Sequence, residues 1–158
     1  MRIKGVLLRE GGREDWEKAK ALIWRVFEAC NASDYSQEGI RQFKEFLDDD
    51  TLYRMFLAGS FRLVVASLYG NLVGVLGLRD LCHLSLLFVE TTCHRNGIGS
   101  SLVEYAAEMI ARESGGTRLT VYATPYASDF YLRLGFVPTD QVKQDGGIIY
   151  TPMALRLE

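Results

Sequence analysis

The 158-residue sequence has no surplus of positive charge, no long apolar run, and few cysteines or prolines. Each shortage removes a class of protein. Lys and Arg number 18 against 20 Asp and Glu, a formal charge of -2, so the basic footprint of a nucleic-acid binder is missing. The longest stretch without a charged residue, Leu63 to Leu78, spans 16 residues and carries Gly70-Asn71 in its middle. A membrane span needs about 20 apolar residues, so this stretch reads as two strands and a turn, and no membrane partner is expected. Arg2, Lys4, Arg9 and Glu10 interrupt the N-terminal apolar residues, which therefore do not read as a secretory signal. The three cysteines, Cys30, Cys82 and Cys93, are odd in number and show neither a CxxC nor a Cys/His metal spacing. No metal is expected, and a reduced, cytoplasmic setting fits them best. With three prolines confined to the last third and no low-complexity segment, there is no linker to cut at. Residues 1–158 read as a single domain.

What is present is an ordinary soluble composition, 48% hydrophobic and 24% charged. Ile3 to Arg9 can form a first strand, ended by Gly11-Gly12. Trp16, Ile23, Phe27 and Cys30 then fall at helical steps behind the acidic start Glu14-Asp15. Ser36 can cap a second helix carrying Ile40, Phe43 and Leu47 and ending in the acidic run Asp48 to Asp50. From Phe61 the pattern turns to β. Leu63 to Tyr69 and Leu72 to Arg79 flank Gly70-Asn71, which suits a two-residue hairpin turn. Leu81 to Val89 is nearly all apolar, which predicts a central strand covered on both faces. Glycines 97 and 99 then lead into a helix with Leu102, Ala106, Met109 and Ile110 on one face. Thr117 to Ala123 make a fifth strand, and Thr124-Pro125 open a short helix that Gly135 ends. Strand-like runs at Phe136 to Val142 and Ile148 to Leu155, separated by Gly146-Gly147, complete an α/β layer fold with a mixed sheet.

Gly97 and Gly99 stand where the central strand hands over to a helix. The first amides of a helix lack partners and carry partial positive charge, so a glycine entry can close directly on phosphate oxygens. The same glycines could serve only to pack the helix on the sheet. A dinucleotide fingerprint is ruled out by Leu102, which occupies the place of its third glycine, and no Gly-Lys-Ser/Thr loop exists.

Three segments in this order carry a resemblance: His83-Leu84-Ser85-Leu86-Leu87-Phe88-Val89, then His94-Arg95-Asn96-Gly97-Ile98-Gly99, then Val121 to Phe136 with Phe130-Tyr131 and Gly135-Phe136. Together they resemble the GNAT superfamily of acetyl-CoA-dependent N-acetyltransferases. The glycine turn is similar to that family's Q/R-x-x-G-x-G/A signature, with His94 in the Gln/Arg position, and Thr124 stands where many members carry Asn. The resemblance implies a mostly antiparallel mixed sheet flanked by helices, with splayed central strands. It implies that main-chain groups of Leu87, Phe88 and Val89 pair with the pantetheine arm of acetyl-CoA. His94, Arg95, Asn96, Gly97, Gly99 and Ser100 would cradle the diphosphate, and Thr124 and Phe130 would flank the arm. Tyr131 takes the family's place for the residue that meets the departing sulfur. A phenol of pKa about 10 is a weaker acid than a thiol of about 8.5, so complete proton transfer is uphill by roughly 2 kcal/mol, and hydrogen bonding to the thiolate is the safer role.

An alkyl amine of pKa about 10.4 is protonated at pH 7, and freeing its lone pair costs roughly 4 to 5 kcal/mol. Regular alternation would put His83, Ser85, Leu87 and Val89 on one face of their strand and Leu84, Leu86 and Phe88 on the other. His83, four residues before Leu87, is then a candidate general base or a core histidine satisfied by a neighbour. Glu90 is the runner-up base and Asp80 the third. For the acceptor, Tyr35, Phe43, Phe46, Tyr53 and Phe56 with Glu45 and Asp48 to Asp50 form either an aromatic, acidic rim or a solvated helix end above the core. Tyr150 and Thr151 are further candidates. The expected activity is acetyl transfer to a primary amine of a small molecule or peptide by direct attack in a ternary complex, with a backbone amide near Leu87 on the oxyanion. Cys82 and Cys93 are read as incidental thiols. The rival reading is a degenerate acyl-CoA-binding sensor. A monomer or a homodimer fits either.

Overall fold

The computed structural model describes residues 4–145 and 147–157. Strands β1 (Val6–Glu10), β2 (Phe61–Leu68), β3 (Asn71–Arg79), β4 (His83–Val89), β5 (Arg118–Ala123), β6 (Val137–Pro138), β7 (Lys143–Asp145) and β8 (Ile148–Arg156) form one eight-stranded sheet. The spatial order is β1-β2-β3-β4-β5-β8-β6, with β7 on β8. Only β4 and β5 run parallel, so the mixed, mostly antiparallel expectation holds. Helix α1 (Trp16–Val26), α2 (Gln37–Asp48) and α3 (Asp50–Ala58) precede β2, while α4 (Ile98–Ser114) and α5 (Ser128–Arg133) flank β5.

Each face of the sheet carries its own core. On one, Leu76, Leu78, Leu119 and Val121 pack against Ile98, Leu102, Met109 and Ile110 of α4. On the other, Leu63, Val65, Val75, Leu86 and Phe88 pack against Trp16, Leu22, Ile23 and Phe27 of α1 and its continuation. Phe27 is fully buried, its ring 4.3 Å from Phe43 of α2 and 4.8 Å from Tyr35. Emptying that junction by Phe27→Ala costs about 3–5 kcal/mol. A single π-helical turn, Phe27–Asn31, ends α1 there and brings Asn31 to the central cavity.

Several sequence expectations shift. Ile3 and Gly146 lie outside the described residues. Ser36 caps α2 as expected, its Oγ accepting from the Gly39 amide at 3.0 Å. The acidic run does not trail off into solvent: Asp49 Oδ1 accepts from the Thr51 amide at 2.9 Å and starts α3. Carboxylates complement a helix N-terminus as readily as they solvate an end. The hairpin turn is Tyr69-Gly70, both at positive φ, with Asn71 already in β3. Thr124-Pro125 form a turn and α5 begins three residues after Pro125, because the Thr124 carbonyl, not its hydroxyl, receives the Ala127 and Ser128 amides.

The central strand departs most from expectation. β4 is not covered on both faces: Leu84, Leu86 and Phe88 are buried while His83, Ser85, Leu87 and Val89 are half-open. Its alternation also breaks. Leu78 pairs with Leu84 but Gly77 with Leu86, so Ser85 is an extra residue, a β-bulge. Leu84 therefore faces the α4 side with Leu87 and Val89, and His83 lies on the opposite face with Leu86 and Phe88. His83 and Leu87 do not share a face.

Candidate active site

Strands β4 and β5 are paired only at His83↔Thr120 and Leu84↔Val121, and they have no further register partners toward Val89 and Ala123. The central strands are thus splayed as expected, and the main chain of β4 from Leu86 onward has no neighbouring strand on that side. A cavity of about 550 Å³ opens at the wedge. Its floor is β4 from His83 to Phe88 with Val121, and its walls carry Tyr35, Phe43, Tyr122, Tyr131 and Tyr150.

His83 is held by two neighbours. Its Nδ1 lies 2.7 Å from Thr120 Oγ1, and that hydroxyl donates to the Cys82 carbonyl at 3.3 Å. With the single hydroxyl proton directed to that carbonyl, His83 Nδ1 is the donor to Oγ1 and Nε2 keeps the lone pair. The ring also meets Tyr122 at 4.6 Å. Burial, aided by the charge of Arg79, pushes the imidazole from 6.5 down to about 4. Tyr131 is buried, edge-on to Phe130 and Phe136 at 5.1 and 5.2 Å. Among the described residues no fully buried side-chain oxygen lacks a partner, and the Tyr131 hydroxyl has none, so it opens on the cavity. Burial raises its pKa, making it a still weaker acid. Burial likewise pushes Tyr35 up to about 12.

Glu90 is drawn elsewhere. Its carboxylate receives Arg25 Nη2 at 2.5 Å and Nε at 3.3 Å, and it does not line the cavity. An ion pair on the rim leaves it poorly placed to take a proton from an amine beside β4. Asp80 sits in the β3–β4 turn at positive φ, also outside the lining.

Beyond β4 the glycine turn is built by its own polar groups. His94 Nε2 donates to the Val89 carbonyl at 2.6 Å, so the ring folds back onto the strand end. Asn96 Nδ2 donates to the His94 carbonyl at 3.1 Å. Arg95 and Gly97 take positive φ, and Gly97 is the N-cap of α4 with no side-chain cap bond. The Ile98, Gly99 and Ser100 amides are the start of an uncapped helix, with the exposed Arg95 beside them. A Cβ on Gly99 would come within 3.1 Å of the Phe130 ring, so the glycine lets α4 and α5 close together at the wedge. Thr124 and Leu87 line the cavity, Val89 sits past its edge, and Phe130 supports Tyr131 from behind.

The expected acceptor rim divides. Tyr35, Phe43, Phe46 and Tyr150 line the cavity. Tyr53 instead packs tilted against Trp16 at 5.3 Å and Phe56 stacks on it at 4.7 Å, and Asp48 to Asp50 line a separate small groove with Arg13 and Lys20. Thr151 is a strand partner of Ala123, and Glu45 faces Arg41 on α2 at 3.9 Å. Sequence reasoning missed Arg79, Thr120, Tyr122 and Asp145. The register of the β3–β4 hairpin could have pointed to Arg79; the others depend on strand pairings distant in the chain.

The open strand edge at the wedge of a split sheet, ending in an uncapped glycine turn, belongs to a chain of the acyl-CoA-dependent N-acyltransferase class. The profile of the acetyltransferase (GNAT) domain matches residues 31–157, and the chain belongs to that family. Among solved structures it is similar to a GCN5-related N-acetyltransferase of Rhodopseudomonas palustris, with 27% identity, 99% of each chain covered and a TM-score of 0.82. It also resembles the PaiA N-acetyltransferase of Thermoplasma acidophilum in complex with coenzyme A, at 20% identity over 96% of this chain and 98% of that one, TM-score 0.79. The spermidine N-acetyltransferase SpeG of Vibrio cholerae shares the fold at 16% identity over 98% and 95%, TM-score 0.69. No curated protein sequence matches the chain. No helix among the described residues is long and apolar enough to cross a membrane, and no three His, Cys, Asp or Glu side chains there form a metal-ligand group.

Proposed function

We propose that residues 1–158 act as one catalytic domain that moves an acetyl group from acetyl-CoA to a primary amine of a small molecule or peptide, by direct attack in a ternary complex in the cytoplasm. The observation that carries this reading is the two-residue pairing of β4 with β5, which leaves strand-like main chain open inside a cavity reached by Tyr131 and His83. A pantetheine arm carries amides that such an edge can pair with, and the coenzyme A bound by the Thermoplasma neighbour supports the choice of cofactor. Acetyl-CoA supplies the acetyl group as an activated thioester.

Leu87 and Phe88 offer main-chain groups to the arm; the Val89 carbonyl already receives His94 and keeps one lone pair. Gly97, Gly99 and Ser100 offer amides to the diphosphate, with Arg95 adding charge and His94 and Asn96 shaping the loop. Thr124 offers a hydroxyl beside the arm. An amide near Leu87 faces the developing oxyanion. Tyr131 donates a hydrogen bond to the departing sulfur; with its pKa raised, full transfer of its proton is steeper than the roughly 2 kcal/mol separating a free phenol from a thiol.

Magnitudes decide the role of His83. Between an imidazole at about 4 and an ammonium at about 10.4 lies roughly 9 kcal/mol, too much for direct deprotonation. The amine sheds its first proton to water, at roughly 4 to 5 kcal/mol at pH 7, and His83 Nε2 takes the second as the C–N bond forms and nitrogen loses basicity. Glu90 serves the rim. Thiol release from acetyl-CoA across a panel of amines tests the assignment. Release with at least one amine is expected; acetyl-CoA binding with no release from any amine would favour the sensor.

A further inference from the structure

Arg79 is a cation in the cavity that the transfer chemistry leaves unused. It ends β3 directly opposite His83, its register partner on β4, and both line the cavity. Side chains facing each other across an antiparallel pair have Cβ atoms about 4.5–5.5 Å apart. No carboxylate pairs with Arg79 among the described residues. Solvent alone can satisfy an exposed guanidinium, but this one stands where its charge opposes proton uptake by His83, which works against the reaction unless an anion arrives with the substrate. Asp145, on β7, is the only carboxylate of the lining among the described residues. One charge of each sign between aromatic walls complements a zwitterion and repels a polycation from the side where the amine must react.

We propose that the acceptor carries a carboxylate beside its reactive amine, as an aromatic or similarly bulky amino acid does, and that Arg79 selects it. A guanidinium binds a carboxylate through two parallel N–H groups, which fixes orientation as well as charge. With the carboxylate on Arg79, the register partner of His83, the amine one carbon away is held on the His83 side of the cavity. A carboxylate there also offsets the Arg79 charge, the lesser of the two causes that lower His83, while burial, the larger, remains. This rests on the acetyltransferase reading above.

The test compares two acceptors that differ only in the carboxylate, L-phenylalanine and 2-phenylethylamine, with spermidine as a polycation. Wild type should show kcat/KM for phenylalanine at least tenfold above phenylethylamine, and lower still for spermidine. In Arg79→Gln that ratio should fall to near one through KM, and Arg79→Lys should keep part of it. Because the readout is a ratio, a generally damaged variant does not imitate the result. Preference for phenylethylamine or spermidine in wild type, or a ratio that survives Arg79→Gln, overturns the proposal. If neither acceptor turns over, stabilisation by N-acetylphenylalanine against N-acetylphenylethylamine in the presence of coenzyme A decides: an Arg79-dependent thermal shift with the first alone supports it, and equal shifts or none overturn it. Failure of the acetyltransferase reading is seen separately, as absence of acetyl-CoA binding or of thiol release with every amine.

Discussion

At the level of single residues, the site joins two groups whose burial makes them weaker acids and bases than their free forms. In the proposed reaction Tyr131 keeps its proton and donates a hydrogen bond, an interaction that strengthens as charge gathers on sulfur. Removing it should therefore cost transition-state stabilisation and little ground-state binding. Tyr131→Phe is expected to lower kcat about 10- to 100-fold while the acetyl-CoA dissociation constant changes less than about threefold; equal turnover in the two proteins would take Tyr131 out of the chemistry. For His83 the linkage has a definite sign. Its pKa is about 4 when folded and about 6.5 when unfolded, so between those values the unfolded chain binds the extra proton. Stability tied to the neutral ring is complete above pH 6.5 and lost as pH falls through 4; solvent screening of the half-open ring holds it below the roughly 3 kcal/mol that the full shift would give. Urea unfolding at pH 7 and pH 4.5 should show wild type losing more stability than His83→Gln over that interval. Parallel losses would mean that the ring is solvated. In kcat/KM, replacing His83 should move the low-pH limb; an unmoved limb makes the residue structural.

At the level of elements, the cavity depends on two devices that hold distant segments in register. One is the bulge at Ser85, which turns His83 toward Tyr122 and Thr120 while leaving Leu87 on the α4 side. The other is the contact between the start of α2 and the β7–β8 turn. The Ser36 amide donates to the Gly147 carbonyl at 3.2 Å, and a Cβ on Gly147 would fall 2.1 Å from Ser36 Oγ at a backbone φ of +81°. Gly147→Ala must displace the α2 cap and strain the turn together, at a cost of about 1–3 kcal/mol. Because Tyr35 and Phe43 lie on one side of that contact and Ile148 and Tyr150 on the other, the variant should also raise KM for the amine with little effect on acetyl-CoA affinity. A lowered melting temperature without a change in KM would show that the contact supports the fold alone. These devices also separate what could be read from the sequence from what could not. Periodicity and capping chemistry located α1, α2, α4 and all the long strands, since each rests on local spacing. A bulge leaves no local mark: Leu84-Ser85-Leu86 alternates perfectly on paper, and only the pairing of Gly77 with Leu86 reveals the extra residue. The same blindness hid Thr120, Tyr122 and Asp145, which reach the site through strands far from it in the chain. Asp48 to Asp50 misled for another reason, because an acidic run is compatible with either end of a helix.

For the whole molecule, the near-neutral charge constrains how an anionic cofactor is held. With a formal charge of -2, the protein as a whole offers no long-range attraction to a diphosphate. In the proposed site, attraction comes from the amides at the start of α4 and from Arg95, which is exposed beside them. Fixed amide dipoles act at contact distance and are little screened, whereas one solvent-facing guanidinium contributes about 1 kcal/mol and is weakened as the Debye length shortens to about 8 Å near 0.15 M salt. Acetyl-CoA affinity should accordingly fall only about two- to threefold between 50 and 200 mM NaCl. Arg95→Ala should weaken binding about fivefold at low salt and flatten what salt dependence there is, with kcat at saturating acetyl-CoA little altered because Arg95 is remote from the sulfur. Isothermal titration across salt concentrations measures both quantities. A tenfold or greater loss over that salt range, surviving in Arg95→Ala, would mean that other cations gather on the phosphates, and that the cofactor is captured by a surface field instead of by the local geometry of one helix start.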